Sequence, residues 1–142
     1  MIVPRPMNAH SPSRFPRLRR ALRVGLAIAM MIVGVLHFAS PDGFVRIVPD
    51  FLPAHLGLVY VSGVFEILGG VGLLVRRTRR AASIGLVALY VAVFPANVNM
   101  ALHHISLDGV TQLPTAALWL RLPLQAVLIA LALWVGRVER DE

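Results

Sequence analysis

Four long apolar segments, joined by short polar stretches, constrain the fold of this chain more than any other feature. The segments lie at about residues 21–40, 56–75, 81–102 and 116–136. Each is close to the roughly 20 residues that a helix needs to cross a membrane, and only Arg23, Glu66 and Arg121 bring charge into them. They are too long for strands and lack the alternation of apolar and polar residues that strands show. The sequence therefore predicts an all-α protein, a transmembrane four-helix bundle.

The arginines predict the direction in which these helices cross. Six arginines lie at or before Arg23, four in the loop at 76–80 and two after residue 136, whereas the loops at 40–55 and 103–115 together hold one. Cytoplasmic loops carry an excess of basic residues. We therefore expect both termini and the loop at 76–80 on the cytoplasmic side of the cell (inner) membrane, an N-in/C-in arrangement.

The ends of the chain differ from its centre. Residues 1–18 contain four prolines and few apolar residues, so they are predicted to be a disordered basic cytoplasmic tail that contacts anionic lipid. The membrane domain then covers 19–138, and residues 139–142 form a second cytoplasmic tail.

Charge and composition exclude several classes of function. The net charge of +7 suits a nucleic-acid binder, but such a protein carries its basic residues on a soluble fold, whereas here they flank apolar segments. We therefore expect the chain to contact a lipid bilayer and to bind no nucleic acid. Cysteine is absent, which excludes disulfides, thiol redox chemistry and Cys-ligated zinc. Since His37, His103 and His104 do not stand at ligand spacing on one helix face, no metal site is predicted.

Glu66 is the clearest polar residue inside an apolar segment. Ser62, Gly63 and Gly70 share its helix face at offsets of three or four residues. Small residues let a neighbouring helix approach closely, so these three are predicted to form a packing seam and Glu66 to face protein. Glu66 is then either a functional group or a protonated carboxyl that holds helices together by hydrogen bonds.

Arg121 is the natural counter-ion for Glu66, and Gln125 lies one turn further on the same helix face. We expect Glu66 to contact Arg121 or Gln125 inside the membrane. In the alternative, Arg121 extends outward to the membrane surface, and Pro123 then sits in the first turn of the helix, where proline is tolerated.

The third apolar segment is interrupted by Pro95, which has no N–H and disrupts the hydrogen bond to the Val91 carbonyl. Asn97 and Asn99 follow it closely. They either satisfy the interrupted backbone and cap the helix end or belong to a polar site, because a free carbonyl at membrane depth needs a partner.

Seven polar residues from all four segments fall between mid-membrane and the outer surface, whereas the inner half is nearly free of polar side chains. This asymmetry predicts a polar cavity in the outer half, open toward the outside. No catalytic set is recognisable among the seven residues. The seven polar residues are His37, Glu66, Asn97, Asn99, His103, Arg121 and Gln125.

Two stretches resemble each other within the chain. Residues 36–43 and 102–109 share Leu, His, Ser, Asp and Gly in register. This predicts either a duplicated two-helix unit or only the common use of Ser, Asp and Gly in turns.

Six short motifs follow one another over about 100 residues, from Gly34 to Trp134. They are GVLHF at 34–38, IVPDFLP at 47–53, SGVFE at 62–66, the arginine pair at 79–80, FPAN at 94–97 and LRLPLQ at 120–125. Together they resemble the DoxX-like family of small four-helix membrane proteins. The resemblance implies association with membrane redox systems such as terminal oxidases and thiosulfate:quinone oxidoreductases. Members that act through thiols need cysteines, which this chain does not have.

Three functions are compatible with these features. The first is an accessory, non-catalytic subunit of a membrane redox system, which binds a quinone in the cavity and contacts a redox partner protein. The second is a small-solute or proton-coupled permeation protein that uses Glu66 and requires an oligomer. The third is a purely structural membrane interaction protein. We expect the first, with no catalytic activity of the chain on its own.

Overall fold

The structure, a computed structural model, describes residues 15–109 and 113–137. Within these ranges the chain forms five helices, and four of them are long and apolar enough to cross a membrane. The all-α prediction is therefore confirmed, as is the number of helices that can span. The helices are α1 (Pro16–Ala39), α2 (Pro41–Ile47), α3 (His55–Leu74), α4 (Arg79–His103) and α5 (Thr115–Val135).

Proline sets the start of two helices. α1 begins at Pro16 and α2 at Pro41, a position where the missing N–H would have had no partner within the helix. Residues 16–18 of the predicted tail are therefore helical, which corrects the predicted boundary. Residues 1–14 of that tail and the second tail at 139–142 lie outside the described residues.

The short helix α2 also corrects the prediction, which has only a loop at 40–55. Its seven residues are too few to show a helical period in the sequence. Gly43 lies directly against the backbone of Leu107, where a Cβ atom would overlap the carbonyl. Asn99 Nδ2 donates a 3.1 Å hydrogen bond to the carbonyl of Ile47. These contacts hold α2 against the end of α4.

The four long helices run alternately in opposite directions around a ring. α3 packs against α1 and α4, and α5 packs against α4 and α1. We call one end of the bundle the tail end; it holds the start of α1, the turn between α3 and α4, and the end of α5. The opposite end, where α2 packs against α1, α3 and α4, is the α2 end.

Glycines bring α3 close to α1. A Cβ atom at Gly63 would lie 2.8 Å from His37 Cβ, and one at Gly70 would lie 2.7 Å from the Ala27 carbonyl oxygen. Two of the three residues of the predicted seam thus contact α1. Ser62, the third, lines a cavity instead, because its position on α3 is rotated away from α1.

The larger cluster of buried apolar residues lies toward the tail end, and a smaller cluster around Met100 lies at the α2 end. Leu73, Ala132 and Val135 have no exposed surface, and Leu86 has 1%. Apolar residues from all four long helices therefore fill this part of the bundle at the density of a protein interior.

Polar side chains that flank the predicted apolar segments are also buried near the tail end. Arg19 Nε donates to the Trp134 carbonyl at 3.0 Å, and Arg79 Nε donates to the Leu73 carbonyl at 3.3 Å. Both carbonyls belong to the last turns of helices, where the backbone lacks intrahelical donors and favours cations. The two arginine side chains thus cap the C-terminal ends of α5 and α3.

Candidate functional site

A cavity of about 720 Å³ lies in the half of the bundle nearer the α2 end. Its volume is in the range of small-molecule sites. All four long helices, α2 and the segment after α2 contribute to its wall, which is mostly apolar. Five of the seven residues predicted for a polar cavity line it: His37, Glu66, Asn97, Arg121 and Gln125.

His37 and Glu66 form a buried pair between α1 and α3. His37 Nδ1 lies 2.8 Å from the Val33 carbonyl oxygen, to which it donates, and 3.3 Å from Glu66 Oε2. The ring of Phe44, from α2, stacks on His37 at 3.8 Å between centroids. The close approach of α1 at Gly63 places the histidine within reach of the carboxyl.

One carboxyl oxygen of Glu66 stands out. Oε2 is buried and accepts no hydrogen bond from the part of the chain that the structure describes, since the N–H of His37 is directed to Val33. Buried polar atoms are nearly always hydrogen-bonded. Glu66 itself lines the cavity, so a rotation of its carboxyl group would turn this acceptor toward a bound molecule.

A chain of amides ties α4 to α5 on another side of the cavity. Asn97 Nδ2 donates to Gln125 Oε1 at 3.0 Å, and Gln125 Nε2 donates to the Tyr90 carbonyl. Tyr90 lies next to Val91, in the turn that Pro95 interrupts. Gln125 thus supplies a donor from a neighbouring helix where the backbone of α4 is weakened.

Arg121 lies half-buried in the same wall. Its NH1 group donates to the thioether sulfur of Met100 at 2.9 Å, a weak acceptor that leaves most of the guanidinium donors available. α5 begins at Thr115, so Pro123 lies about two turns inside the helix. The alternative that places Pro123 in the first turn is therefore wrong.

The expected contact of Glu66 with Arg121 or Gln125 is replaced by the contact with His37. The physical reason is the order of the helices, because α3 packs against α1 and α4 while α5 packs against α4 and α1. Gln125 is bonded to Asn97 and Tyr90. Glu66 and Arg121 thus line one cavity from different helix pairs.

Two predicted cavity residues lie outside the lining. Asn99 is turned to the Ile47 carbonyl, and His103 is exposed, with Nδ1 3.1 Å from the Asn99 carbonyl oxygen of its own helix. Both lie nearer the end of α4 than Asn97 does, where the chain turns toward α2. Their role in the structure is to hold the backbone at this end.

A comparison with protein families matches residues 26–136 to the family described as Domain of unknown function (DUF8561). The chain belongs to this family. The matched range includes every residue that lines the cavity, from Val33 to Leu128. Comparison with curated proteins and with solved structures gave no match.

Within the DUF8561 range, sequence reasoning missed Phe44 and Tyr90. Tyr90 lies two turns before Asn97 on the same face of α4, and that spacing is a signal that could have identified it. Its hydroxyl donates to Met30 Sδ at 3.1 Å, so it links α4 to α1 at the inner limit of the cavity. Phe44 has no comparable signal, because it depends on the unexpected helix α2.

The cavity wall of this chain carries hydrogen-bond donors and acceptors beside apolar residues. Among the described residues, no group of three or more His, Cys, Asp or Glu side chains could hold a metal ion. What the wall offers is a carboxyl acceptor, a guanidinium donor, amides and an aromatic stack.

Proposed function

We propose that this DUF8561 protein is a multi-pass protein of the cell membrane that binds a quinone in its cavity as an accessory, non-catalytic subunit of a membrane redox system. The observation that carries the proposal is the 720 Å³ cavity, in which polar groups from the α1–α3 and α4–α5 pairs meet apolar walls. The resemblance to the DoxX-like family supports the redox association.

The proposed orientation has the tail end in the cytoplasm and the α2 end outside. Basic residues concentrate at the tail end, and cytoplasmic segments carry an excess of basic residues. Four arginines there line a depression of about 490 Å³, which supports contact with anionic lipid headgroups. The arginines are Arg20, Arg23, Arg76 and Arg79.

A quinone suits the chemistry of this wall. Its two ring carbonyls accept hydrogen bonds, which the guanidinium of Arg121 can donate. In the reduced form each oxygen carries a hydroxyl, which can donate to the carboxyl group of Glu66 once that group turns toward the cavity. The ring itself needs an apolar slot, and Phe44, Leu124 and Leu128 are among the residues that line the cavity.

The test is the quinone content of the purified protein. Wild type purified in mild detergent is expected to retain quinone, and Arg121→Ala to lose it, as measured by extraction and mass spectrometry. Arg77→Ala is the matched control, because it removes an exposed arginine outside the cavity. Normal quinone content in Arg121→Ala would refute the proposal.

One observation favours a second candidate, proton-coupled permeation. The buried His37–Glu66 pair is the kind of ionisable pair that marks proton pathways in membrane proteins. A liposome flux assay that compares Glu66→Gln with wild type decides the matter. Equal flux in the two proteins, or none in either, would argue against permeation.

A further inference from the structure

The packing of α3 against α4 changes along the bundle. Toward the tail end the two helices touch through glycine: a Cβ atom at Gly69 would lie 2.5 Å from Leu86 Cδ2, and one at Gly72 would lie 2.6 Å from Ala82 Cβ. Gly85 of α4 differs, because a Cβ atom there would meet nothing within 4 Å. Gly85 faces the cavity, so the gap between the helices begins at this level.

Several cavity residues beyond Gly85 are also on the outer surface of the bundle. On α3, Val61 is 53% exposed and Phe65 is 56% exposed. On α4, Ala88 and Ala92 are exposed. All four line the cavity, so the cavity reaches the surface between these two helices. This surface faces hydrocarbon when the helices cross a membrane.

The α2 end of the cavity is covered instead. Phe44 and Ile47 of α2 line it there, together with Val48 and Pro49, which are buried. The expectation of a cavity open toward the outside therefore needs revision. A molecule dissolved in the membrane meets the gap between α3 and α4 directly, whereas one in water meets an apolar cover.

We propose that the gap between α3 and α4 is a lateral portal for a membrane-dissolved quinone. Its ring lies between Glu66 and Arg121, and its apolar tail passes between Phe65 and Ala88 into the surrounding lipid. This inference rests on the proposed function and extends it by naming the ligand class, a quinone with a tail. Small residues on α4 leave the width that a tail requires.

The test compares two quinones of one ring type. A dimethoxy-methyl-benzoquinone without a tail and the same ring with a decyl tail are measured by equilibrium binding in lipid nanodiscs. Ala88→Phe fills the portal and is expected to weaken binding of the tailed quinone at least about tenfold, because an overpacked gap forces side chains or the ligand to move. Binding of the tail-less ring is expected to stay close to that of wild type.

Ala126→Phe is the matched control, since it makes the same change at an exposed position of α5 outside the cavity lining. It should bind both quinones as wild type does. Equal binding of the tailed quinone by Ala88→Phe, or equal loss of both quinones, overturns the portal while leaving the proposed function in place. If wild type binds neither quinone, this result refutes the proposed function and therefore the portal as well.

A second measurement needs no variant. Wild type in nanodiscs is irradiated with a quinone that carries a photoreactive group on its tail, and labelled peptides are identified by mass spectrometry. Label on α3 near Phe65 and on α4 near Ala88 supports the portal. Label confined to α5 or to the α2 segment overturns it.

Discussion

The two ends of the bundle are built from the same four apolar helices but use their polar side chains differently. Near the tail end, Arg19 and Ser83 donate to backbone carbonyls, and Leu73 and Val135 fill the space between helices. Near the α2 end, polar side chains contact one another as well as backbone carbonyls around a 720 Å³ cavity. In the first arrangement polar side chains supply donors to backbone carbonyls; in the second, Glu66 Oε2 has no hydrogen-bond donor among the residues that the structure describes. The difference separates structural polar residues from candidate ligand contacts.

Removing apolar volume should have its largest effect on the packed side of this comparison. Leu73→Ala, at a side chain with no exposed surface, is expected to lower the free energy of unfolding by about 2–5 kcal/mol, because the cavity left behind does not collapse fully. Leu58→Ala, at an exposed cavity wall, should cost well under half as much. Denaturant titration in detergent checks both, and equal losses would remove the distinction between the ends.

Substitutions of two arginines test the same distinction between structural polar residues and candidate ligand contacts. Arg19→Met should lower the free energy of unfolding by about 1–3 kcal/mol, because it removes the 3.0 Å hydrogen bond to the Trp134 carbonyl and leaves that carbonyl only weaker backbone donors. Ligand binding should not change. Arg121→Met should leave the free energy of unfolding nearly unchanged, because its thioether partner Met100 is a weak acceptor. It should weaken quinone binding, because the ligand loses a donor. Unfolding titrations and quinone binding on both variants are the measurement; a mainly structural defect in Arg121→Met would contradict the comparison.

The smallest expected effect concerns the amide contact between α4 and α5. A double-mutant cycle with Asn97→Leu and Gln125→Leu should give a coupling energy of about 1 kcal/mol for their hydrogen bond. Unfolding titrations of the four proteins provide it. A coupling below about 0.3 kcal/mol would show that the pair is not bonded in the membrane.

Much of the fold could be predicted because the constraint is local. A segment that meets lipid on one side must be apolar over its whole length, so the starts of α3, α4 and α5 lie close to the predicted 56, 81 and 116. The start of α1 at Pro16 could not be predicted in this way, since arginines extend the helix beyond the apolar segment. The helix α2 depends on contacts with Leu107 and Asn99, which no local pattern contains.

The sequence predicts how deep in the membrane the residues of the candidate site lie, but not which of their side chains contact one another. On a helix, residue number converts directly to height at about 1.5 Å per residue, so Glu66, Asn97 and Arg121 were expected at one level. Which side chains meet depends on the neighbours of each helix. α3 packs on α1 through Gly63, and this brings Glu66 to His37. The internal repeat stays a prediction, although His37 is buried and His103 exposed, so the two histidines have different surroundings.

The prolines inside α4 and α5 give the bundle two kinds of wall. Pro95 and Pro123 each lie two residues from the contact between Asn97 and Gln125, and each removes one backbone hydrogen bond. α1 and α3 have no proline in their interiors. The α4–α5 side of the cavity therefore has fewer backbone hydrogen bonds than the α1–α3 side. We expect any bending of the bundle around ligands of different thickness to occur in α4 and α5, on either side of the hydrogen bond between Asn97 and Gln125.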